Sequence, residues 1–321
     1  MAKNTKISVL SIGNEGIACP IGDYAGYEKQ IKAYLKRNID KVLPEHPDII
    51  ILPEGCNEFT SKGFEDVAAY RADKKKYLNY LGDRLQDYMR EIAVNNNTNI
   101  AYSAVRCFPE DERYPYRNST IYIDRTGNIA GVYDKNHLVI EENSIGNTGY
   151  GTEAKVIELD CARVASAICF DLNFNELMEK YKAQHPELIV FCSAYHGGLK
   201  QEQWAYECQS YFAGAIAHAP GRIINPLGTT VAAATNYTDH VSAMVNLDYR
   251  LCHGDHNREK FVAAKAKYKN ALTVYDPGCV GVRMLTYNDT DQTIEDVIDE
   301  FGIERLDDYF AMSRAHRQEN M

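Results

Sequence analysis

The chain has 321 residues, enough for one large domain or two ordinary ones around a sizeable buried core. A hydrophobic content of 45% and a charged content of 25% are those of an ordinary water-soluble globular protein. The formal charge of −10 opposes binding to phosphate backbones and anionic lipid, so neither nucleic acid nor a membrane surface is expected as a partner. No apolar run approaches a membrane span, and residues 1–6 lead into a strand and not a signal-peptide core, which predicts a cytoplasmic protein. The nine cysteines (Cys19, Cys56, Cys107, Cys161, Cys169, Cys192, Cys208, Cys252 and Cys279) are scattered and include no Cys-x-x-Cys pair. They predict reduced thiols, with neither a disulfide framework nor a structural zinc site.

Residues 7–12 alternate at period two and read as a strand, and residues 24–42 place apolar side chains at helical spacing. Residues 48–52 form a nearly all-apolar run, the mark of a strand covered on both faces. Residues 64–94 read as mostly helical, with Leu78, Leu81, Leu85, Tyr88, Met89 and Ile92 at helical intervals. Residues 99–107 and 119–123 read as strands, and the turn Asp124-Arg125-Thr126-Gly127-Asn128 leads into a third at 129–133. That hairpin rules out a purely parallel sheet. Strands follow at 155–159 and 163–168, a helix at 175–183, a strand at 188–192, a helix at 201–216 and a strand at 222–225. Residues 231–235 and 240–246 are expected to form an antiparallel pair.

Two βα-rich halves of this kind predict an α/β sandwich with sheets inside and helices outside. One domain is expected over residues 1–255. Residues 256–321 change character, with a lysine-rich helix at 258–268, a short strand at 281–285 and mixed-charge helices at 293–299 and 306–314. This extension is expected to pack on the same domain or at a subunit interface.

Three apolar runs end on chemically useful side chains: Ile51-Leu52-Pro53-Glu54, Val132-Tyr133-Asp134-Lys135 and Ala167-Ile168-Cys169-Phe170-Asp171. Strand ends line up along the edge of a packed sheet, so the three groups can converge on one site. A carboxylate, an ammonium and a thiol supply a base, a cation for developing negative charge and a nucleophile, the equipment for acyl transfer through a thioester. Singly, each residue has a plainer reading: a solvated loop glutamate, a surface lysine and a buried cysteine.

Their order and surroundings change that. The chain resembles the carbon–nitrogen hydrolase family, or nitrilase superfamily, whose Glu-Lys-Cys triad sits in three ordered motifs. Leu52-Pro53-Glu54 is similar to the first, and Tyr133-Asp134-Lys135-Asn136-His137-Leu138 to the family's Lys-x-His-Leu. Ile168-Cys169-Phe170-Asp171-Leu172-Asn173-Phe174-Asn175-Glu176-Leu177 is similar to the Cys-Tyr-Asp-x-Arg-Phe-x-Glu-Leu form of the amidase branches. Residues 188–194, ending Ser-Ala, and the turn Ile224-Asn225-Pro226-Leu227-Gly228-Thr229 match further, so the resemblance covers roughly residues 5–250.

The resemblance implies a four-layer α-β-β-α sandwich and an amidohydrolase needing neither metal nor organic cofactor. It implies a small amide or carbamoyl compound as substrate and a homodimer or higher homo-oligomer as the working form. By the same resemblance Glu54 is the general base, Cys169 the nucleophile, and Lys135 the cation holding the oxyanion together with the backbone N–H of Phe170. A second supporting glutamate follows the family lysine; Glu141 and Glu142 are both candidates, and Glu142 is preferred.

Departures from the pattern bear on substrate. Asn173 stands where several amidase branches carry an arginine, and an amide cannot form a bidentate ion pair with a substrate carboxylate. An ω-amidase reading loses support accordingly. Tyr195 and His196 are expected to line the pocket. Nitrile hydrolysis, glutamine-amide hydrolysis beside a separate partner, and a non-catalytic binding protein of the same fold are the alternatives. Phe170-Asp171 looks more amide-like than nitrilase-like, and an intact triad argues against a binding protein. His253-Gly254-Asp255-His256 lacks further metal ligands, and Gly146-Asn147-Thr148-Gly149-Tyr150-Gly151 lacks the Gly-Lys-Ser/Thr of a phosphate cradle. Both read as loops.

Overall fold

The short apolar runs become strands buried on both faces, and alternation within each strand decides which core a side chain enters. The computed structural model describes residues 3–13, 22–58 and 66–321. Within them come β1 (Asn4–Leu10), α1 (Tyr24–Ile39), β2 (Ile49–Ile51), α2 (Val67–Leu81), α3 (Arg84–Asn96), β3 (Asn99–Cys107), β4 (Tyr116–Ile123), β5 (Ile129–Asp134) and the short helix α4 (Ile140–Ser144). The second half contains β6 (Ile157–Glu158), β7 (Arg163–Ile168), α5 (Asn175–Lys182), β8 (Leu188–Ser193), α6 (Lys200–Glu207), β9 (Tyr211–Ile216), β10 (Arg222–Ile224), β11 (Thr230–Ala233) and β12 (His240–Asn246). Last come β13 (Tyr249–His253), α7 (Arg258–Tyr268), β14 (Leu272–Tyr275), β15 (Val282–Tyr287), α8 (Ile294–Phe301) and α9 (Leu306–Glu319).

Two sheets carry the sandwich, in the orders β12-β1-β2-β3-β4-β5 and β11-β10-β9-β8-β7-β6. Each holds a parallel trio, β1-β2-β3 and β7-β8-β9, flanked by antiparallel strands. Ile7, Val9, Ile49 and Ile51 of the first sheet meet Val164, Leu188, Val190 and Ala213 of the second in a shared core. The alternate residues Leu10, Ile50 and Ile100 point outward to Ile31, Leu35, Leu78 and Met89 of α1, α2 and α3. On the other side Ala165, Ile189 and Phe212 face Leu177 and Tyr181 of α5 and Trp204 of α6. Three cores between four layers make the α-β-β-α sandwich that the resemblance implies.

Two expectations are corrected. Residues 201–216 are not one helix: α6 ends at Glu207, Gln209 adopts a φ of +50°, and Tyr211–Ile216 is the strand β9. All of β9 is buried, and a short run apolar on both faces has no period separating strand from helix. Its pairing with β8, Leu188 opposite Tyr211, decides the matter. Residues 231–235 and 240–246 do not pair with each other. β11 lies against β10 in one sheet and β12 against β1 in the other, so the chain crosses between sheets there. Each strand finds an open sheet edge, whose row of free backbone groups outcompetes a local hairpin.

The expected helix over 64–94 is two helices, divided at Gly82, whose φ of +46° ends α2; residues 64 and 65 lie outside the described residues. Beyond the sandwich, a third sheet of order β13-β15-β14 joins residues on both sides of position 255. α7 and α8 cover it through Phe261, Ala264, Val297 and Ile298. Hydrogen bonds from Asn246 to the Tyr287 carbonyl (2.6 Å) and from Gln209 to Asp307 (2.7 Å) tie this part to the sandwich. Among the described residues no helix is long and apolar enough to cross a membrane. The described cysteines are all unpaired, and Cys19 lies outside the described residues.

Candidate active site

Each of the three strand ends is fixed by backbone bonds before its side chain does anything. After β2, Leu52 N–H donates to Ala101 O (2.9 Å) and Cys56 N–H to Ser103 O (2.8 Å), so Glu54 is held between two anchors on β3. Gly55 turns the chain here with a φ of +81°, a conformation open to glycine. After β5, Lys135 N–H donates to Asn118 O and Lys135 O accepts from Gly151 N–H, both at 2.8 Å. After β7, Cys169 opens a short 3-10 turn (Cys169–Asn173) with a φ of +47°. A non-glycine residue held in the left-handed region costs of order 1–3 kcal/mol, strain of the kind that gathers at functional sites.

The side chains then meet in one network. Lys135 is 1% exposed; its Nζ lies 3.0 Å from Glu54 Oε1 and 2.7 Å from Glu142 Oε2. Asn118, on β4, donates through Nδ2 to Glu54 Oε1 (2.8 Å) and Glu142 Oε1 (2.9 Å). Glu54 Oε2 accepts from Ala194 N–H (3.1 Å), and Glu142 Oε2 from Val139 N–H (2.9 Å). Glu142 therefore lies in the network, while Glu141 is exposed.

The Cys169 thiol feels the charges of both Glu54 and Lys135, with the Ser193 side chain beside it. Burial first, and the Glu54 carboxylate second, push it up to about 12 against the pull of Lys135. For Lys135, burial alone would depress the ammonium, but Glu54 and Glu142 outweigh it and hold the group above its ordinary range. Burial and Glu54 thus favour the neutral thiol, while Glu54 and Glu142 favour the charged lysine. A thiol beside a carboxylate, with an ammonium fixed alongside, suits attack on a carbonyl and stabilisation of the oxyanion formed.

Of the other expected residues, Phe170, Asn173 and Tyr195 lie beside Cys169, whereas His196 is engaged by its own loop. Phe170 follows Cys169, and its carbonyl accepts from Asn173 Nδ2 at 3.1 Å. Asn173 Oδ1 in turn accepts the Tyr195 hydroxyl at 3.3 Å, so Asn173 and Tyr195 stand together just beyond the cysteine. His196 turns inward on its own loop: Nδ1 accepts from Gly198 N–H (3.1 Å), and its carbonyl accepts from Gln201. Burial, then the nearby Arg222, lower its proton affinity.

Asn118, Ser193 and Asp171 carry parts of the site that the sequence reading gave no role. The strand read at 119–123 extends back to Tyr116, and only that extension places Asn118 within β4. Ser193, fully buried, is a further polar residue ending an apolar strand. Asp171 is also fully buried and accepts from Ile168 N–H (3.0 Å), His137 N–H (2.8 Å) and the Tyr133 hydroxyl (2.8 Å). Among the described residues no group of three or more His, Cys, Asp or Glu is placed to hold a metal ion.

Comparison with known proteins follows the same lines. The family model for carbon–nitrogen hydrolases matches residues 29–249. A deaminated glutathione amidase from Dictyostelium discoideum is 23% identical over 244 residues, covering 67% of this chain and 81% of that one. A carbon–nitrogen hydrolase from Helicobacter pylori G27 shares the fold with a TM-score of 0.64 at 14% identity, over 77% of this chain and 90% of its own. A mutant amidase from Nesterenkonia sp. AN1, of the same fold with a TM-score of 0.59 at 15% identity, covers 76% of this chain and 90% of its own; its active-site cysteine carries the acetamide moiety of fluoroacetamide covalently. The match over residues 29–249 makes this chain a member of the carbon–nitrogen hydrolase family, an amidohydrolase acting on carbon–nitrogen bonds other than peptide bonds.

Proposed function

We propose that the protein hydrolyses a small linear amide or N-carbamoyl compound through a thioester on Cys169, releasing ammonia or an amine. The observation that carries this reading is the ion pair between Glu54 and Lys135, both of whose charges act on the Cys169 thiol. Cys169 Sγ attacks the carbonyl carbon while Glu54 takes the thiol proton. An unperturbed thiol titrates near ~8.5, and this one stands higher, so the base acts during attack and does not form a resting thiolate.

The carbonyl oxygen gains the negative charge. Lys135 directs two of its three N–H donors to carboxylates, which leaves one for that oxygen beside the Phe170 N–H. A preorganised donor of this kind contributes on the order of 3 kcal/mol to the transition state. Glu54 then gives its proton to the leaving nitrogen as the carbon–nitrogen bond breaks. A water molecule, deprotonated by the same carboxylate, attacks the thioester; the acid departs and the thiol is restored.

The covalent cysteine adduct of the Nesterenkonia amidase supports the nucleophile's assignment by analogy of fold. Asn173 supports a substrate without a carboxylate at that end: its amide is committed to Phe170 O and the Tyr195 hydroxyl, and no guanidinium replaces it. The test is ammonia release over primary amides, N-carbamoyl amino acids, ureido acids and nitriles. Turnover confined to amide or carbamoyl compounds is expected. Turnover of nitriles alone, or of none of these, would overturn the reading.

A further inference from the structure

Lys74 is 5% exposed and belongs to none of the groups described above. It lies on α2, three residues after Arg71, so the two cations share one helix face. Both reach the far end of α4, the five-residue helix that carries Glu142. Lys74 Nζ donates to the Gly146 carbonyl at 3.0 Å. Arg71 donates through Nε to the Ile145 carbonyl at 2.9 Å and through a terminal nitrogen to the Ser144 carbonyl. These three successive carbonyls lie at the negative end of α4, where cations are favoured.

A helix this short has little stability of its own, so whatever grips its end fixes its direction. The grip lies close to Glu142 itself. Thr148 N–H donates to the Glu142 carbonyl (3.0 Å), and a Cβ placed on Gly146 would approach that same carbonyl to 2.6 Å. Lys74 also lies over the Tyr116 ring, 4.5 Å from its centroid. Tyr116 stands two residues before Asn118 on β4, and Asn118 holds the other oxygen of Glu142.

Burying an ammonium costs several kcal/mol even after relaxation, and a methionine of similar length would fill this space without that cost. Burial in fact drives the Lys74 amine down to about 8. The charge is explained by its task at the end of α4. We propose that Lys74 and Arg71 are positioning residues, clamping the Ser144–Gly146 turn so that the Glu142 carboxylate is held against Lys135 and Asn118. The inference rests on Glu142 belonging to the working site.

The test compares Lys74→Met and Arg71→Met in the native chain and in a Glu142→Gln background. Two readouts are taken: kcat and KM on the best substrate of the amide panel, and the rate at which iodoacetamide alkylates Cys169, followed by peptide mass spectrometry. In the native background each substitution is expected to lower kcat roughly 10–100-fold with KM within about threefold, the scale of a catalytic group misplaced by about an ångström. Each should also change Cys169 alkylation in the same direction as Glu142→Gln alone. In the Glu142→Gln background neither should alter either rate more than about twofold, because the carboxylate they position is gone. Equal effects in both backgrounds, or no effect in the native one, would overturn the proposal. If Lys74→Met does not fold, the half-buried Arg71 carries the comparison. If no amide is hydrolysed, the proposed reaction fails, and the alkylation rates still decide the clamp.

Discussion

The Tyr133 hydroxyl donates to the Asp171 carboxylate at 2.8 Å in a fully buried contact, joining the strand that ends on Lys135 to the turn that begins on Cys169. The same carboxylate accepts the backbone N–H of Ile168, just before Cys169, and of His137, two residues after Lys135. One side chain thus sets the distance between two of the three strand ends. Asp171→Ala leaves several buried donors without a partner and should cost about 3–5 kcal/mol of stability, read from urea denaturation midpoints. Asp171→Asn should lose less stability, yet activity should still fall, because an amide nitrogen cannot accept. A loss below about 1 kcal/mol for the alanine variant would contradict this role.

Glu54→Gln separates the two duties of the carboxylate. Turnover should fall roughly 10²–10⁴-fold as the proton acceptor disappears. At the same time the Cys169 thiol should titrate lower, because Glu54 is the charge that helps burial push it up to about 12 while Lys135 remains beside it. The pH profile of Cys169 alkylation checks this. It should shift to lower pH in the variant, leaving the thiol more reactive at pH 9 and the enzyme nearly dead.

Asn118 bridges Glu54 and Glu142 through one amide nitrogen, so its replacements should rank by charge. Asn118→Ala removes the bridge and should lower kcat roughly tenfold. Asn118→Asp places a third carboxylate against two others and should lower it about a hundredfold, both on the scale expected of small misplacements in a catalytic site. Steady-state kinetics on one amide substrate test the order. Equal activity of the aspartate variant and the native chain would show that the bridge has no catalytic consequence.

The convergence of Glu54, Lys135 and Cys169 was legible because each ends an apolar run, and a strand covered on both faces advertises itself in sequence. Asn118 was not, because its role comes from pairing: β4 lies beside β5, and only that hairpin brings residue 118 next to residue 135. β9 was misread for a related reason. Tyr211–Ile216 is apolar on both faces, and its identity as a strand is decided by β8, a neighbour that no local pattern reports. The crossing between β11 and β12 was hidden likewise, since adjacent strands in sequence pair by default unless each finds a sheet edge elsewhere.

Alkaline conditions should unfold the protein cooperatively. Burial pushes the thiols of Cys56, Cys161, Cys208 and Cys252 each up to about 12. In the unfolded chain a thiol ionises near ~8.5. Between these values the folded state holds more protons than the unfolded one, so stability falls as pH rises. The contribution is intact below about pH 8.5 and is lost progressively toward about pH 12. Melting temperatures measured across pH 8–11 should decline steadily. A flat profile would mean that these thiols are not protected in the folded chain.

The most direct test of the account is mass spectrometry of the protein quenched in acid during turnover of its best amide substrate. The expected result is a mass gain equal to the acyl group, localised to the peptide that contains Cys169 and absent in Cys169→Ala, which also releases no ammonia. Ammonia release that persists in Cys169→Ala, or an acyl group found on another residue, would contradict a thioester at Cys169.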